Sequence, residues 1–270
     1  MGTLYNTLHY WLVDHPIISE YEWKPGHTPA SSPLFLGTTI VTYLTLTLTL
    51  HHFSHLPTLP SLVLSVVTTL HNIFLCLLSL VMALGCTLST LHQTPRHHLH
   101  WAICFPAGST PPRGPTFFWG YIFYLSKIFE FMDTLLILLS GSRSRRLSFL
   151  HVYHHTVVVV TCYMWLSAVQ TMFPVGLVTN ASVHVVMYAY YLLSGMGLRP
   201  RWKRRVTDCQ IAQFIFGLIV SVFMLYYHFT GSEGCSGLRV WAFTTLFGIS
   251  LLVLFIDFHD KNYAKKRKSA

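Results

Sequence analysis

Three histidines stand within five residues: His151, His154 and His155. Their offsets of three and four place them on one face of a helix. A fourth, His184, lies one turn after Asn180, with Tyr188 and Tyr191 further along the same stripe. Upstream, Lys127, Glu130, Asp133 and Thr134 share a face at offsets of three, six and seven. Downstream, Thr207, Gln210 and Gln213 recur every third residue. Imidazole can move protons, attack a carbonyl carbon or ligate a metal. Amides and ammonium groups can stabilise charge that develops on oxygen. The set therefore suits acyl transfer or, if the histidines ligate iron, oxidation.

The elements that must position these residues are membrane spans. Of 270 residues, 52% are hydrophobic and only 10% charged, where soluble domains carry about 25% charge. About 20 apolar residues cross a bilayer as a helix. Seven segments qualify: 33–50, 61–84, 117–139, 149–168, 173–194, 206–229 and 238–257. The first is the weakest, because Thr alternates with Leu; an open strand there is excluded, since lipid leaves its backbone unpaired. The expected fold is an all-α integral membrane protein. It has a single membrane domain over 1–270, with a seven-helix bundle or barrel over 33–257.

Short-loop Lys and Arg set the orientation. Thirteen of the 18 lie on one side: Arg143, Arg145 and Arg146; Arg199, Arg201, Lys203, Arg204 and Arg205; and five more in the tail from Lys261 to Lys268. Four lie opposite, and Lys127 lies within a span. That asymmetry predicts a lumenal N-terminal segment over 1–32 and a cytosolic basic tail over 258–270. It also accounts for the net charge of +9 without a nucleic-acid partner. At 1.5 Å per residue, His154, Asp133, Gln210 and Gln213 sit roughly 6–10 Å inside the cytosolic boundary, and His184 roughly 15 Å. The expected site is one pocket in the cytosolic half. Intramembrane polar residues are costly, so they mark function by default, although interhelical hydrogen bonds are the plainer account of each stripe alone. For Lys127 and Glu130 an i, i+3 ion pair is expected.

Cys104 and Cys235 fall in loops assigned to the lumen, where a disulfide is permitted, and are expected to pair. Cys162 and Cys209 have no activating neighbour in the sequence and are not expected to be nucleophiles. Lys266 and Lys268 near the C-terminus match the pattern of an endoplasmic reticulum retrieval signal, a receptor-read address.

Four motifs occur in order: Lys127-Ile-Phe-Glu130-Phe-Met-Asp133-Thr134, His151-Val-Tyr-His154-His155, Asn180-Ala-Ser-Val-His184 with Tyr188 and Tyr191, and Thr207-Asp-Cys-Gln210-Ile-Ala-Gln213. Together they resemble the ELO family of very-long-chain fatty acid elongases, and the segment with His15, Pro16 and Trp23 resembles its plant-type members. The resemblance implies condensation of a fatty acyl-CoA with malonyl-CoA to a 3-ketoacyl-CoA, carbon dioxide and CoA, in the endoplasmic reticulum membrane. Long-chain acyl-CoA and malonyl-CoA are then substrates, and the resemblance implies that the bundle surrounds an acyl channel. A ketoacyl-CoA reductase, a dehydratase and an enoyl reductase would be partners, with a homodimer as a further expectation. No cofactor and no metal is expected. His154 is the expected acyl carrier, with His184 across the pocket, His151 and His155 orienting, and Asp133 fixing a tautomer. Arg143, Arg145, Arg146, Lys203, Arg204 and Arg205 suit the phosphates of CoA. The alternatives are a histidine-box di-iron desaturase or hydroxylase, and a seven-helix transporter or receptor.

Overall fold

The computed structural model describes residues 2–53, 58–95, 99–140, 147–198 and 200–264, and among them the structure is helical, with two isolated bridges. The helices are α1 (Gly2–His9), α2 (Pro16–Ser19), α3 (Pro33–His52), α4 (Ser61–Gln93), α5 (Pro115–Phe129), α6 (Phe131–Leu138), α7 (Phe149–Ser167), α8 (Phe173–Gly195), α9 (Lys203–Thr230) and α10 (Leu238–His259). Their starts carry ordinary signals. Ser32 and Ser148 cap α3 and α7 by accepting from Phe35 N at 3.1 Å and His151 N at 3.2 Å. Proline opens α3 and α5, where its missing N–H costs nothing. After α8 the chain turns at Gly197, whose φ of 83° favours glycine.

Among the described residues, five helices are long and apolar enough to cross a membrane: α3, α4, α8, α9 and α10, the last with its extension to Tyr263. The two other expected spans differ for physical reasons. The segment 117–139 is not one helix; it breaks at Glu130 into α5 and α6. The segment 149–168 is a 19-residue helix, α7, but its three histidines lower its mean hydropathy. The span expected over 61–84 continues to Gln93. The first segment, with its alternating Thr and Leu, is a helix.

Six segments close a ring. α4 packs along α8, α8 along α9, α9 along α10, α10 along α7, α7 along α5, and α5 along α4. α3 stands outside, against α6 and α7. Gly85 of α4 lies directly under the Trp119 ring of α5, where any side chain would force the two helices apart. Trp119 in turn donates to Leu12 O at 2.9 Å, which seats the N-terminal segment on the ring.

The connecting loops cross-link one end of the ring. Cys104 and Cys235 form a disulfide with Cα atoms 4.9 Å apart, within the usual range. Around it, Ser236 N donates to Phe105 O at 2.8 Å, Thr171 N donates to Ser236 O at 3.2 Å, and Phe105 N donates to Thr171 Oγ1. The N-terminal segment joins this layer: Trp23 N donates to Pro112 O at 2.9 Å, and Gly114 N to Tyr21 O at 2.7 Å.

The break at Glu130 contains no proline or glycine. It coincides with a buried ion pair: Lys127 Nζ lies 2.7 Å from Glu130 Oε1, and both side chains are 1% exposed. Asp133 N returns to Glu130 O at 3.0 Å, a tightened turn that starts α6. Lys127→Met leaves the Glu130 carboxylate without its counter-charge, which costs about 3–5 kcal/mol. The double change Lys127→Met/Glu130→Gln removes both charges and is expected to lose less stability than Lys127→Met alone, measured as unfolding in detergent. A double variant no more stable than the single one would mean that the pair does not set the stability of the break.

Candidate active site

The expected residues gather in the ring, but in two layers. The first is polar and tightly partnered. Lys127 Nζ lies 3.3 Å from His184 Nε2 and 4.5 Å from the centre of the Phe123 ring. His184 donates through Nδ1 to Asn180 O at 2.8 Å. A carbonyl can only accept, so the proton sits on Nδ1 and Nε2 accepts from the lysine. Glu130 Oε2 is 3.6 Å from His184 Nε2, beyond direct hydrogen bonding.

Asp133, expected to fix a histidine tautomer, bonds His71 and, among the described residues, makes no hydrogen bond to the histidine triplet. It is held from α4 and α8. His71 Nε2 donates to Oδ1 at 2.8 Å, and the Tyr188 hydroxyl donates to Oδ2 at 2.8 Å. The triplet's partner is the next residue, Thr134, whose Oγ1 is 2.8 Å from His151 Nε2 and 3.0 Å from the Tyr43 hydroxyl. The His151 and His155 rings lie 4.4 Å apart, and those of His154 and His155 are edge-on at 5.4 Å.

The second layer is a cavity of about 150 Å³ enclosed by α7, α8, α9 and α10, with Phe123 reaching in from α5. His154 is the one histidine that lines it, together with Asn180 and Gln213. His154 Nδ1, Asn180 Oδ1 and Gln213 Oε1 are buried without a hydrogen-bond partner among the described residues. From there the walls turn mostly apolar, through Val158, Trp165, Val175, Leu218, Phe247 and Leu251. Gln170, Ser221 and Trp241 line its other part, next to the disulfide-bearing loops. His154 and Trp165 are 11 residues apart on α7, so the lined length is about 16 Å. The bore is kept open by glycine: a Cβ at Gly217 or Gly248 would meet nothing within 4 Å.

Other expected residues lie apart. His184 does not face His154 across the cavity; it belongs to the ion group. Gln210 contacts the Met187 sulfur at 3.6 Å. Tyr191 is 44% exposed and packs edge-on against Tyr188. Lys203, Arg204 and Arg205 are exposed at the start of α9, with Arg204 4.0 Å from Asp208. Arg143, Arg145, Arg146, Lys266 and Lys268 lie outside the described residues.

Sequence reasoning undervalued His71 and missed Tyr43. His71 sits inside a span, and an ionisable residue there is a functional signal by default. Tyr43 gives no such signal, being one aromatic in an apolar helix. The contribution of α10 was missed too, because its Thr244, Phe247, Gly248 and Leu251 read as ordinary membrane sequence.

This geometry supports acyl chemistry over di-iron chemistry. An ammonium 3.3 Å from His184 Nε2 occupies the lone pair a metal would need and repels a cation. His154 instead offers an imidazole at the end of an apolar bore. Comparison with known proteins agrees. The ELO: GNS1/SUR4 family matches residues 28–270. Fatty acid elongase A of Dictyostelium discoideum is 36% identical over 260 residues, covering 92% of this chain and 90% of the relative. Fatty acid elongase 3-like of Arabidopsis thaliana is 28% identical over 283 residues, covering 98% and 95%. Very long chain fatty acid elongase 2 of Rattus norvegicus is 30% identical over 213 residues, covering 77% and 72%. With its ordered motifs, its ring of apolar helices and a match over nearly the whole length, the chain belongs to the ELO (GNS1/SUR4) family.

Proposed function

We propose that this chain is a fatty acid elongase that condenses an acyl-CoA with malonyl-CoA through an acyl-histidine. The observation that carries the reading is His154: of the four site histidines it alone lines the apolar cavity. The acyl tail lies in the bore with its thioester at His154. The imidazole attacks the thioester carbon, forming an acyl-imidazole, and CoA leaves as the thiol after taking a proton. Malonyl-CoA then loses carbon dioxide. The electron pair left on its α-carbon attacks the acyl-imidazole carbon and releases 3-ketoacyl-CoA, and a proton from water replaces the one given to CoA, which restores the imidazole. Asn180 and Gln213, which also line the cavity, are placed to bind the oxygen that gains charge. Lys127 and His184 hold the local field behind them.

The same reading sets the topology. The chain is one membrane domain crossing seven times, with α5 and α6 serving as one broken crossing. The disulfide end faces the lumen, where oxidation is permitted. The basic end, with Lys203, Arg204 and Arg205, faces the cytosol, and these side chains at the start of α9 take the CoA phosphates. The endoplasmic reticulum is the compartment, and the reductases and dehydratase of the cycle act on the product.

His154→Ala is expected to abolish condensation in microsomes supplied with labelled malonyl-CoA, with expression unchanged. Incubation with acyl-CoA alone is expected to leave an acyl mass on the peptide carrying His154. A fully active enzyme with no adduct would favour direct condensation, in which the histidine acts as base.

Gly217→Leu and Gly248→Leu place a side chain at positions that line the bore. Both are expected to shift products to shorter chains while condensation continues on short acyl-CoA. An unchanged product distribution would place the acyl tail elsewhere.

Lys266 and Lys268 supply the address. Replacing both with Ser is expected to move the protein toward the Golgi, seen by microscopy; unchanged location would mean that other features retain it.

A further inference from the structure

Away from the histidine site, His9, Asp14 and His92 each bring one ligand atom to within 4.8 Å of the other two. His9 Nδ1 lies 2.7 Å from Asp14 Oδ2. The rings of His9 and His92 meet edge-on with centroids 5.1 Å apart. Five residues separate His9 from Asp14, which in an α-helix would turn them roughly 140° apart. Here a π-helical turn over Tyr10–Asp14, continued by the bond from His15 N to Tyr10 O at 2.8 Å, carries Asp14 back to His9. Such turns are often found at functional sites. The turn is fixed from below by Trp119, which donates to Leu12 O at 2.9 Å.

A second observation points to a cation. His9 ends α1, Asp14 ends the π-turn, and His92 lies in the last turn of α4. Helix C-termini carry partial negative charge on their outward carbonyls. The helical stretch that runs unbroken from α1 through the π-turn to Asp14 ends here, as does α4, and two imidazoles and a carboxylate meet there.

We infer that His9, Asp14 and His92 form a binding site for a divalent transition-metal ion of the zinc type, which fastens the N-terminal segment to the end of α4. Zinc takes imidazole nitrogen and carboxylate oxygen at about 2.0–2.2 Å in a tetrahedron, so its ligand atoms lie roughly 3.3 Å apart. The His9–Asp14 contact opens by about half an ångström to reach this, and His92 closes in. Asp14 and His92 are exposed and His9 is half-buried, so these side chains can turn. The fourth position faces solvent and takes water. Magnesium and calcium prefer all-oxygen shells and do not suit this set. The ion would stand apart from the His154 cavity and take no part in condensation.

The test uses the full-length untagged protein in detergent, stripped with a chelator and titrated with zinc against a fluorescent zinc indicator. Wild type is expected to hold one tight ion per chain. His92→Ala and Asp14→Asn are each expected to weaken it at least tenfold, whereas His52→Ala, at an exposed histidine of α3, leaves it unchanged. Zinc, and not magnesium, is expected to protect the first 15 residues from protease in wild type but not in His92→Ala. Equal zinc affinity in wild type and both site variants would overturn the site, as would tight binding without protection of the N-terminal segment.

Discussion

A lysine ammonium and a glutamate carboxylate meet 2.7 Å apart, both 1% exposed, at the one point where an apolar helix is interrupted. Taking two such charges out of water costs several kcal/mol per ion after relaxation, and only close geometry and further bonds offset that cost. Each further contact of the pair fixes a neighbour. Phe123 offers its ring face to the ammonium, and His184 accepts from it. His184 also donates to Asn180 O of its own helix, which fixes its ring, and the lysine contact from α5 then orients α8. Once α8 is fixed, Asn180 faces the cavity and Tyr188 faces Asp133. The ion pair thus decides which residues of three helices look inward.

That hierarchy explains why four histidines of similar appearance hold different positions. His184 belongs to the ion group and His151 to the Thr134 hydroxyl. His154 is left with the cavity. A bilayer interior gives a polar group no water to fall back on, so each partner removes one histidine from chemistry. Specialisation here follows from which hydrogen bonds are already taken.

The faces of α5–α6, α7 and α8 were legible in the sequence because helical periodicity projects residues at offsets of three, four and seven onto one side. The partners were not. Periodicity says which side Asp133 faces but not which helix waits there, and His71, 62 residues away, claims it. The break at Glu130 was hidden although the i, i+3 pair was legible: the sequence around it has no proline or glycine, and the long-range contact from Lys127 to His184 is not written in the spacing. The end of α4 was misplaced because Thr87, Ser89, Thr90 and His92 read as a loop, whereas Ser89 and Thr90 are buried and His92 packs on His9. Apolar lining residues of α10 gave no signal at all, since a wall of a bore and a face toward lipid use the same side chains.

The long pairing of α4 with α8 has a consequence for biosynthesis. Chains emerge from the ribosome N-terminus first, and 80 positions separate Gln93 from Phe173. α4 therefore enters the bilayer well before the helix it packs against most fully exists. Through that interval its His71 and Asn72, 6% and 3% exposed in the finished ring, face lipid or the translocation machinery. The ring closes only when α10, the last helix made, reaches α7. Assembly is thus a late and collective event, and a polypeptide stalled before residue 238 holds the histidines of α7 and α8 without the wall that closes the cavity around them.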